Sequence, residues 1–420
     1  MRKGKREEVF FIFYLIKGII MSDYSLISDS RLPTPDSQLP LPTVTRHYFD
    51  WAATAIPRRP ASFSGECACF GNPSSRHSEG RAAKEALENA RERCAAVLGV
   101  EPETLYFTSG GTEANCIALY SNLFRPSGRI IASRAEHPSI TENAEMLRRL
   151  GKLTGTLPVD SMGRVSPELL EETLEKYGDV RYAAVMAVNN ETGTIIDIST
   201  LRRCLESRDG PPVHLHCDAV QALGKIKLDL KTCDSASMSA HKIGGPRGIG
   251  LLYLQKALEP LYSGGGQEGK IRPGTENVQG ALAFAACLEE YAAAQTLAAN
   301  YEQAHRRMIR LISALSGLER CAVIPRSRAE CDASFSPYIL QLGFRGIPGE
   351  VLVRYLDDLG FALSTGSACS SAALNRPVLA AMGIDDETSR TGVRVSQGWS
   401  TGDDEIELLI SAIKGALAYL

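Results

Sequence analysis

The stretch Leu105-Tyr106-Phe107-Thr108-Ser109-Gly110-Gly111-Thr112-Glu113-Ala114 reads as a short strand, a glycine-rich turn and the start of a helix. Leu105 to Phe107 supplies the strand, and the helical pattern runs from Glu113 to Leu123. Backbone N–H groups left free at such a helix start cradle a phosphate, and the Thr112 hydroxyl can add a donor. The segment lacks the lysine of a P-loop and the spacing of a dinucleotide fingerprint. Many strand–helix turns contain Gly-Gly-Thr, so it establishes a βα unit and leaves the ligand open.

The same alternation extends in both directions. Upstream, Ser78 to Leu98 places Ala82, Ala83, Ala86, Leu87, Ala90 and Cys94 on one helical face, with Gly99 as its stop. Downstream, strands are expected at Arg129 to Ala132, Tyr182 to Val188, Val213 to Cys217 and Ile249 to Leu254, and a helix at Ser139 to Leu150. The unbroken apolar run Tyr182 to Val188 is typical of a strand covered on both faces. Such alternation predicts an α/β fold with a mostly parallel sheet and helices on both sides. From Val278 the texture changes to one long Ala-rich helical stretch reaching about Leu315. Strands at Tyr338 to Leu342 and Gly392 to Val395, with helices at Gly349 to Leu359 and Asp403 to Leu420, predict a smaller α+β domain. A chain of 420 residues is long enough for two such domains.

Composition narrows the classes. The chain is 44% apolar and 23% charged, with a formal net charge of −3, so no basic field points to nucleic acid. Eleven cysteines at irregular spacings form no zinc-ribbon pattern and no secreted disulfide framework, which predicts a reducing, cytoplasmic setting. Val9 to Ile20 is apolar and follows Arg2, Lys3, Lys5 and Arg6, as in a signal peptide. Lys17 interrupts the run, no small-residue cleavage site follows, and the run is too short for a bilayer span. Met21 is an alternative start, and Ser22 to Pro42 reads as a disordered lead-in.

Three further segments carry chemistry. In Ser237-Met238-Ser239-Ala240-His241-Lys242-Ile243-Gly244-Gly245-Pro246 a lysine follows a β-like run and precedes a turn. A Schiff-base lysine needs such a rigid, partly desolvated ledge, although alone the segment reads as a surface lysine before a turn. In Val213-His214-Leu215-His216-Cys217-Asp218-Ala219-Val220-Gln221 a carboxylate ends an apolar strand. It can pair with the protonated pyridine nitrogen of pyridoxal 5'-phosphate and keep that ring an electron sink, or cap the next helix. His214 and His216 suggest a metal site, but no third ligand is visible, so they read as hydrogen-bonded strand histidines. In Ser364-Thr365-Gly366-Ser367-Ala368-Cys369-Ser370-Ser371 a cysteine sits among small residues, outside any apolar run, and reads as a mobile reactive thiol.

Taken in order, these four motifs resemble the cysteine desulfurase family, the class V aminotransferase branch of pyridoxal-phosphate (PLP) fold type I. The resemblance runs from Tyr48 to the C-terminus and includes Phe70-Gly71-Asn72-Pro73-Ser74-Ser75, Glu136-His137, Val188-Asn189-Asn190-Glu191-Thr192-Gly193-Thr194 and Arg272-Pro273-Gly274-Thr275. It implies a mainly parallel seven-stranded sheet in a large domain at 58–295. A smaller α+β domain would be built from 46–57 and 296–420, after an N-terminal extension at 1–45. It also implies roles. Lys242 would carry PLP, His137 would stack on the pyridine face, Asp218 would bind the pyridine nitrogen, and Asn190 and Gln221 would contact the ring oxygen. Gly111, Thr112, Ser239 and His241 would hold the phosphate, and Thr275 would reach the phosphate of a neighbouring subunit in a homodimer. Arg394 would clamp the substrate carboxylate. Asn72 would help bind substrate, or with His77 only shape a turn. Cys369 would accept sulfur from L-cysteine and pass it to a protein acceptor, an iron–sulfur scaffold or a thiolation carrier, in a setting that resembles the long-loop subgroup. No metal, membrane or nucleic acid is implied.

The sequence departs from the family pattern at Asp50-Trp51-Ala52-Ala53-Thr54-Ala55, where Asp-Asn-Asn-Ala-Thr-Thr is usual, at Gly269 and at Trp399, both positions where arginine is common. Selenocysteine lyase, on the same fold, is the nearest rival reading. A catalytically silent sulfur relay is a remote one.

Overall fold

The computed structural model describes residues 45–57, 70–125, 127–328, 332–366 and 376–420. The N-terminal expectations and Cys369 lie outside these residues.

The central sheet has seven strands: β2 (Leu105–Thr108), β3 (Arg129–Ser133), β4 (Thr154–Leu157), β5 (Val180–Met186), β6 (His214–Asp218), β7 (Ser235–Ser239) and β8 (Gly250–Leu254). Their order is β2-β8-β7-β6-β5-β3-β4, and only β8 runs antiparallel to its neighbours. The helices between the strands are α1 (Ser78–Leu98), α2 (Gly111–Tyr120), α3 (Pro138–Arg149), α4 (Pro167–Tyr177) and α5 (Ile198–Ser207), followed by α6 (Val278–Tyr291).

Alternate residues of β5 join different cores. Ala183 and Val185 pack with Leu87 and Leu282 of α1 and α6. Tyr182 and Ala184 pack with Leu119, Ile140 and Leu147 of α2 and α3. Both faces are therefore apolar, which is why the strand reads as a continuous hydrophobic run. α1 ends at Gly99, whose φ of 68° is left-handed, and its N–H bonds the Ala95 carbonyl.

A second core surrounds an antiparallel sheet of β9 (Cys321–Ile324), β10 (Ile339–Phe344) and β12 (Gly392–Ser396), in the order β12-β10-β9. It also holds residues of α7 (Ala294–Ser316), α8 (Gly349–Asp358) and α11 (Asp403–Tyr419). The short helices α9 (Pro377–Ala381) and α10 (Asp386–Arg390) precede β12. Phe49 joins this core, because β1 (His47–Tyr48) pairs in parallel with β11 (Phe361–Ala362).

The Ala-rich stretch departs from expectation. It forms two helices rather than one, with Ala293 extended at φ −57°, ψ 135° between them. No Gly or Pro marks this break. It lies where the chain leaves the first core, which holds Leu288 and Tyr291, for the second, which holds Met308 and Leu311. α2 is also shorter than its pattern, giving way at Ser121–Phe124 to a 3-10 turn. Among the described residues, no helix is long and apolar enough to cross a membrane.

Candidate active site

Strands β2, β3, β5, β6 and β7 all point the same way, so their C-terminal ends share one edge of the sheet. In open α/β sheets, ligands bind at that edge. Each predicted motif follows one of these ends. Gly111 and Thr112 follow β2, His137 follows β3, Asn190 follows β5, Asp218 closes β6, and His241 and Lys242 form a 3-10 turn after β7. Together with Gln221, Ser239 and Arg394, they line one cleft of about 280 Å3. Asn72 and Thr275 are exposed and do not line it. Asn72 accepts the Ser74 N–H at 2.9 Å, and His77 caps α1 through the Gly80 N–H, so both shape a turn.

Local rules place each group. Gly111 opens α2, where first-turn N–H groups lack intrahelical acceptors. A Cβ at Gly111 would stand 2.5 Å from Val220 Cγ2, so only glycine lets the helix start approach the β6 loop this closely. Glu113 accepts the Ser109 N–H and pairs with Arg272 at 3.3 Å, tying the Arg272–Thr275 segment to this turn. His137 is the N-cap of α3. Lys242 Nζ donates to the carbonyls of Ala52 (2.6 Å) and Ala53 (2.8 Å). His241 Nδ1 lies 3.1 Å from the Thr54 hydroxyl. Arg394, 2% exposed, donates to Asp50 Oδ1 (2.8 Å) and to the Asn190 carbonyl (2.9 Å). Among the described residues, its Nε is buried without an acceptor.

Burial tunes the titratable groups. Desolvation pushes the His241 imidazole down to about 4, with Lys242, Arg247 and Lys225 adding to the effect. Burial also lowers His137, reinforced by Lys242 and opposed by Asp218. Glu136, fully enclosed, is raised first by burial and then by the Asp218 charge. Its Oε1 accepts the Met186 N–H at 2.7 Å.

Sequence reasoning missed two buried residues at this site. Lys225 bonds Gln221 Oε1 at 2.7 Å, while Gln221 Nε2 donates to the Ala52 carbonyl. Desolvation holds the Lys225 amine down at about 7, helped by Lys242 and Arg394. A lysine at i+4 from Gln221 in an otherwise apolar run was the available signal. Asn115, 1% exposed, also lines the cleft and bonds Asp218 Oδ2 at 2.8 Å. It lies on the first turns of α2, four residues past Gly111. His214 and His216 are held by the Ser235 hydroxyl at 2.7 and 2.8 Å. Among the described residues no cluster could hold a metal ion.

Two of the sequence departures meet in space. The Trp51 and Trp399 rings lie edge to face with centroids 5.7 Å apart. Gly398 leaves room for them, since a Cβ there would fall 2.1 Å from the Trp51 ring. At the third departure, Glu268, Gly269 and Lys270 all have positive φ (46°, 58° and 69°), a backbone that favours the glycine at 269. Glu268 is pinned there by Arg91 at 2.7 Å and by the Phe107 N–H.

The cleft's donor set fits PLP. A helix start with a Cβ-free approach, together with Ser239 and His241, offers donors to a phosphate. A buried carboxylate, an imidazole and a lysine amine in the same cleft are the kinds of partner a pyridine ring and an aldehyde take.

Comparison with known proteins agrees. The profile described as "Aminotransferase class-V" matches residues 47–409. A "NifS/IcsS protein homolog" of Lactobacillus delbrueckii subsp. bulgaricus is 38% identical over 87% of this chain and 95% of its own length. An "IscS-like cysteine desulfurase" of Mycobacterium tuberculosis is 34% identical over 88% of this chain and 96% of its own. A solved structure titled "NIFS-LIKE PROTEIN" superposes with a TM-score of 0.79 at 32% identity, covering 90% of this chain and all of that one. Motifs, fold and relatives agree that the chain belongs to the class-V aminotransferase family, in its cysteine desulfurase branch.

Proposed function

We propose that the protein is a PLP-dependent cysteine desulfurase that converts L-cysteine to L-alanine and takes the sulfur onto Cys369. The observation that carries this reading is the meeting of Lys242, Asp218, the α2 start and Arg394 in one cleft. Full-length relatives that bear the name support it.

Bound PLP supplies an electron sink for the substrate's α-carbon. The chain supplies the rest. The first turn of α2, Thr112, Ser239 and His241 hold the phosphate. Asp218 would pair with the pyridine nitrogen and His137 would pack against the ring. Lys242 would hold PLP at its aldehyde, and its Nζ would move the substrate's α-proton. Arg394 orients the substrate carboxylate with its planar fork. The Cys369 thiolate takes the substrate sulfur. The C–S bond breaks, alanine leaves, and the enzyme keeps Cys–S–SH. That sulfur passes to a protein acceptor in iron–sulfur assembly or thiolation. The active form is a homodimer in which Thr275 reaches the partner's site, working in the cytoplasm.

The deciding experiment is turnover of the PLP-loaded protein with L-cysteine and with L-selenocysteine, measuring alanine, sulfide and selenide. Alanine from cysteine, with a persulfide on Cys369 by mass spectrometry, supports the reading. Turnover of selenocysteine alone makes the protein a selenocysteine lyase. No turnover and no PLP binding would leave the silent relay.

A further inference from the structure

A line of buried polar side chains runs beneath the cleft, and Asn115 stands at its branch point. Asn115, Ser235 and His216 are 0–1% exposed, and Ser139 and Asp218 are 5–6% exposed. Asn115 Nδ2 donates to two acceptors, Asp218 Oδ2 and Ser139 Oγ, each at 2.8 Å. Both amide hydrogens are thereby used, so Oδ1 accepts, and its partner at 2.9 Å is His216 Nε2.

These roles set the direction of every neighbouring bond. His216 carries its proton on Nε2, and its bare Nδ1 accepts from the Ser235 hydroxyl at 2.8 Å. The Ser235 oxygen then accepts from His214 Nε2 at 2.7 Å. On the other branch, Ser139 Oγ accepts from Asn115, so its own hydrogen goes to His137 Nδ1 at 2.8 Å. The Ser139 backbone N–H points at the same nitrogen at 3.1 Å. His137 is left with its proton on Nε2. Asp218 Oδ1 is held separately by the Val220 N–H at 3.0 Å. His216 Nε2 also lies 3.3 Å from the Ser237 hydroxyl, a side branch, while the main line of side-chain bonds runs one way, from His214 towards the cleft, an arrangement in which each bond polarises the next.

We propose that Asn115 is a positioning residue that sets both ring contacts of the cofactor at once. It holds the Asp218 carboxylate directly and, through Ser139, the His137 imidazole in a single tautomer. The proposal rests on the PLP reading above. In its terms, the group facing the pyridine nitrogen and the group covering the ring answer to one buried amide.

Two variants separate the branches. Ser139→Ala cuts the His137 branch and leaves Asn115 on Asp218. Asn115→Leu cuts both while filling a similar volume. Asn115→Ala, which leaves room instead of filling it, stands in if the leucine variant does not fold. Two spectroscopic readouts follow them. Histidine 15N spectra of the apoprotein report ring protonation, with His137 identified by its loss in His137→Gln. The 15N shift of labelled PLP in the holoprotein reports the pyridine nitrogen. Ser139→Ala should move the His137 signals and leave the pyridine shift as in the wild type. The Asn115 variant should move both and weaken PLP binding on the order of tenfold, as expected for one hydrogen bond lost from a charged acceptor. An Asn115 variant with wild-type His137 and pyridine signals overturns the proposal. If the wild type binds no PLP, the cofactor reading fails instead. The apoprotein histidine spectra then still decide whether Asn115 controls His137.

Discussion

Gly111→Ala tests how tightly the phosphate cradle is built. The added Cβ would lie 2.5 Å from Val220 Cγ2, well inside van der Waals contact. Val220 cannot move aside cheaply, since its β-branched side chain has few χ1 states and its backbone is tethered by its N–H on Asp218 Oδ1 at 3.0 Å. Either the start of α2 or the β6 loop must shift, and overpacking of this kind costs about 1–3 kcal/mol. If the strain falls on the cleft, PLP binding weakens roughly fivefold to 150-fold. If it falls on the fold, apoprotein stability drops by the same energy. The assay is a PLP titration by visible absorbance beside urea unfolding of the apoprotein. Val220→Ala removes the methyl in the way, so Gly111→Ala/Val220→Ala should recover most of the loss. Unchanged affinity and stability in the single variant, or no recovery in the double, would refute the packing argument.

Four further outcomes are expected. Lys242→Ala should fold, abolish turnover and lose the visible band of lysine-bound PLP, and borohydride trapping of PLP on another lysine would contradict the assignment. Asp218→Ala should retain PLP but lose turnover by orders of magnitude, since the ring loses its electron-withdrawing partner, so near-normal rates would remove Asp218 from the mechanism. Cys369→Ser should bind PLP and L-cysteine yet release no alanine, and a persulfide mapped to another cysteine would overturn its role. Lys225→Met concerns pH and stability. The folded amine titrates near 7 and the unfolded one near the usual lysine value of about 10.4, so unfolded chains bind more protons between these values. The wild type should therefore gain stability as pH rises across that window, and unfolding curves of Lys225→Met should show a shallower rise.

The parallel sheet was legible because strand-like and helix-like segments alternate, β5 carries a continuous apolar run, and α1 ends in a glycine that the backbone needs. The pieces that sequence reading missed have physical reasons. β4, Thr-Gly-Thr-Leu, has little hydrophobic pattern and is placed by its neighbour β3. The break between α6 and α7 is set by which core each helix buries, a tertiary demand that alanine does not signal. In the site, the residues at strand ends were found because their types announce chemistry. Asn115 and Lys225 were not, since a polar residue inside a helical or apolar segment declares a role only once its partners are known. Asn72 was drawn in by motif membership and does not line the cleft, whereas the role expected of Thr275 belongs to a partner's site.

The Trp51–Trp399 contact bears on how this protein can be recombined with its relatives. The two indoles lie 348 positions apart in the chain, yet they share one packed space that Gly398 keeps open. A chimera taking its first segment from a relative and its last from this chain would set Trp399 against a smaller partner, leaving a void beside Lys242 and Lys225. The reverse exchange would leave Trp51 facing a flexible cation. The two segments therefore form one inheritable unit. Crossovers that keep them together should yield folded hybrids, and crossovers that part them should require a compensating change at the other end of the chain.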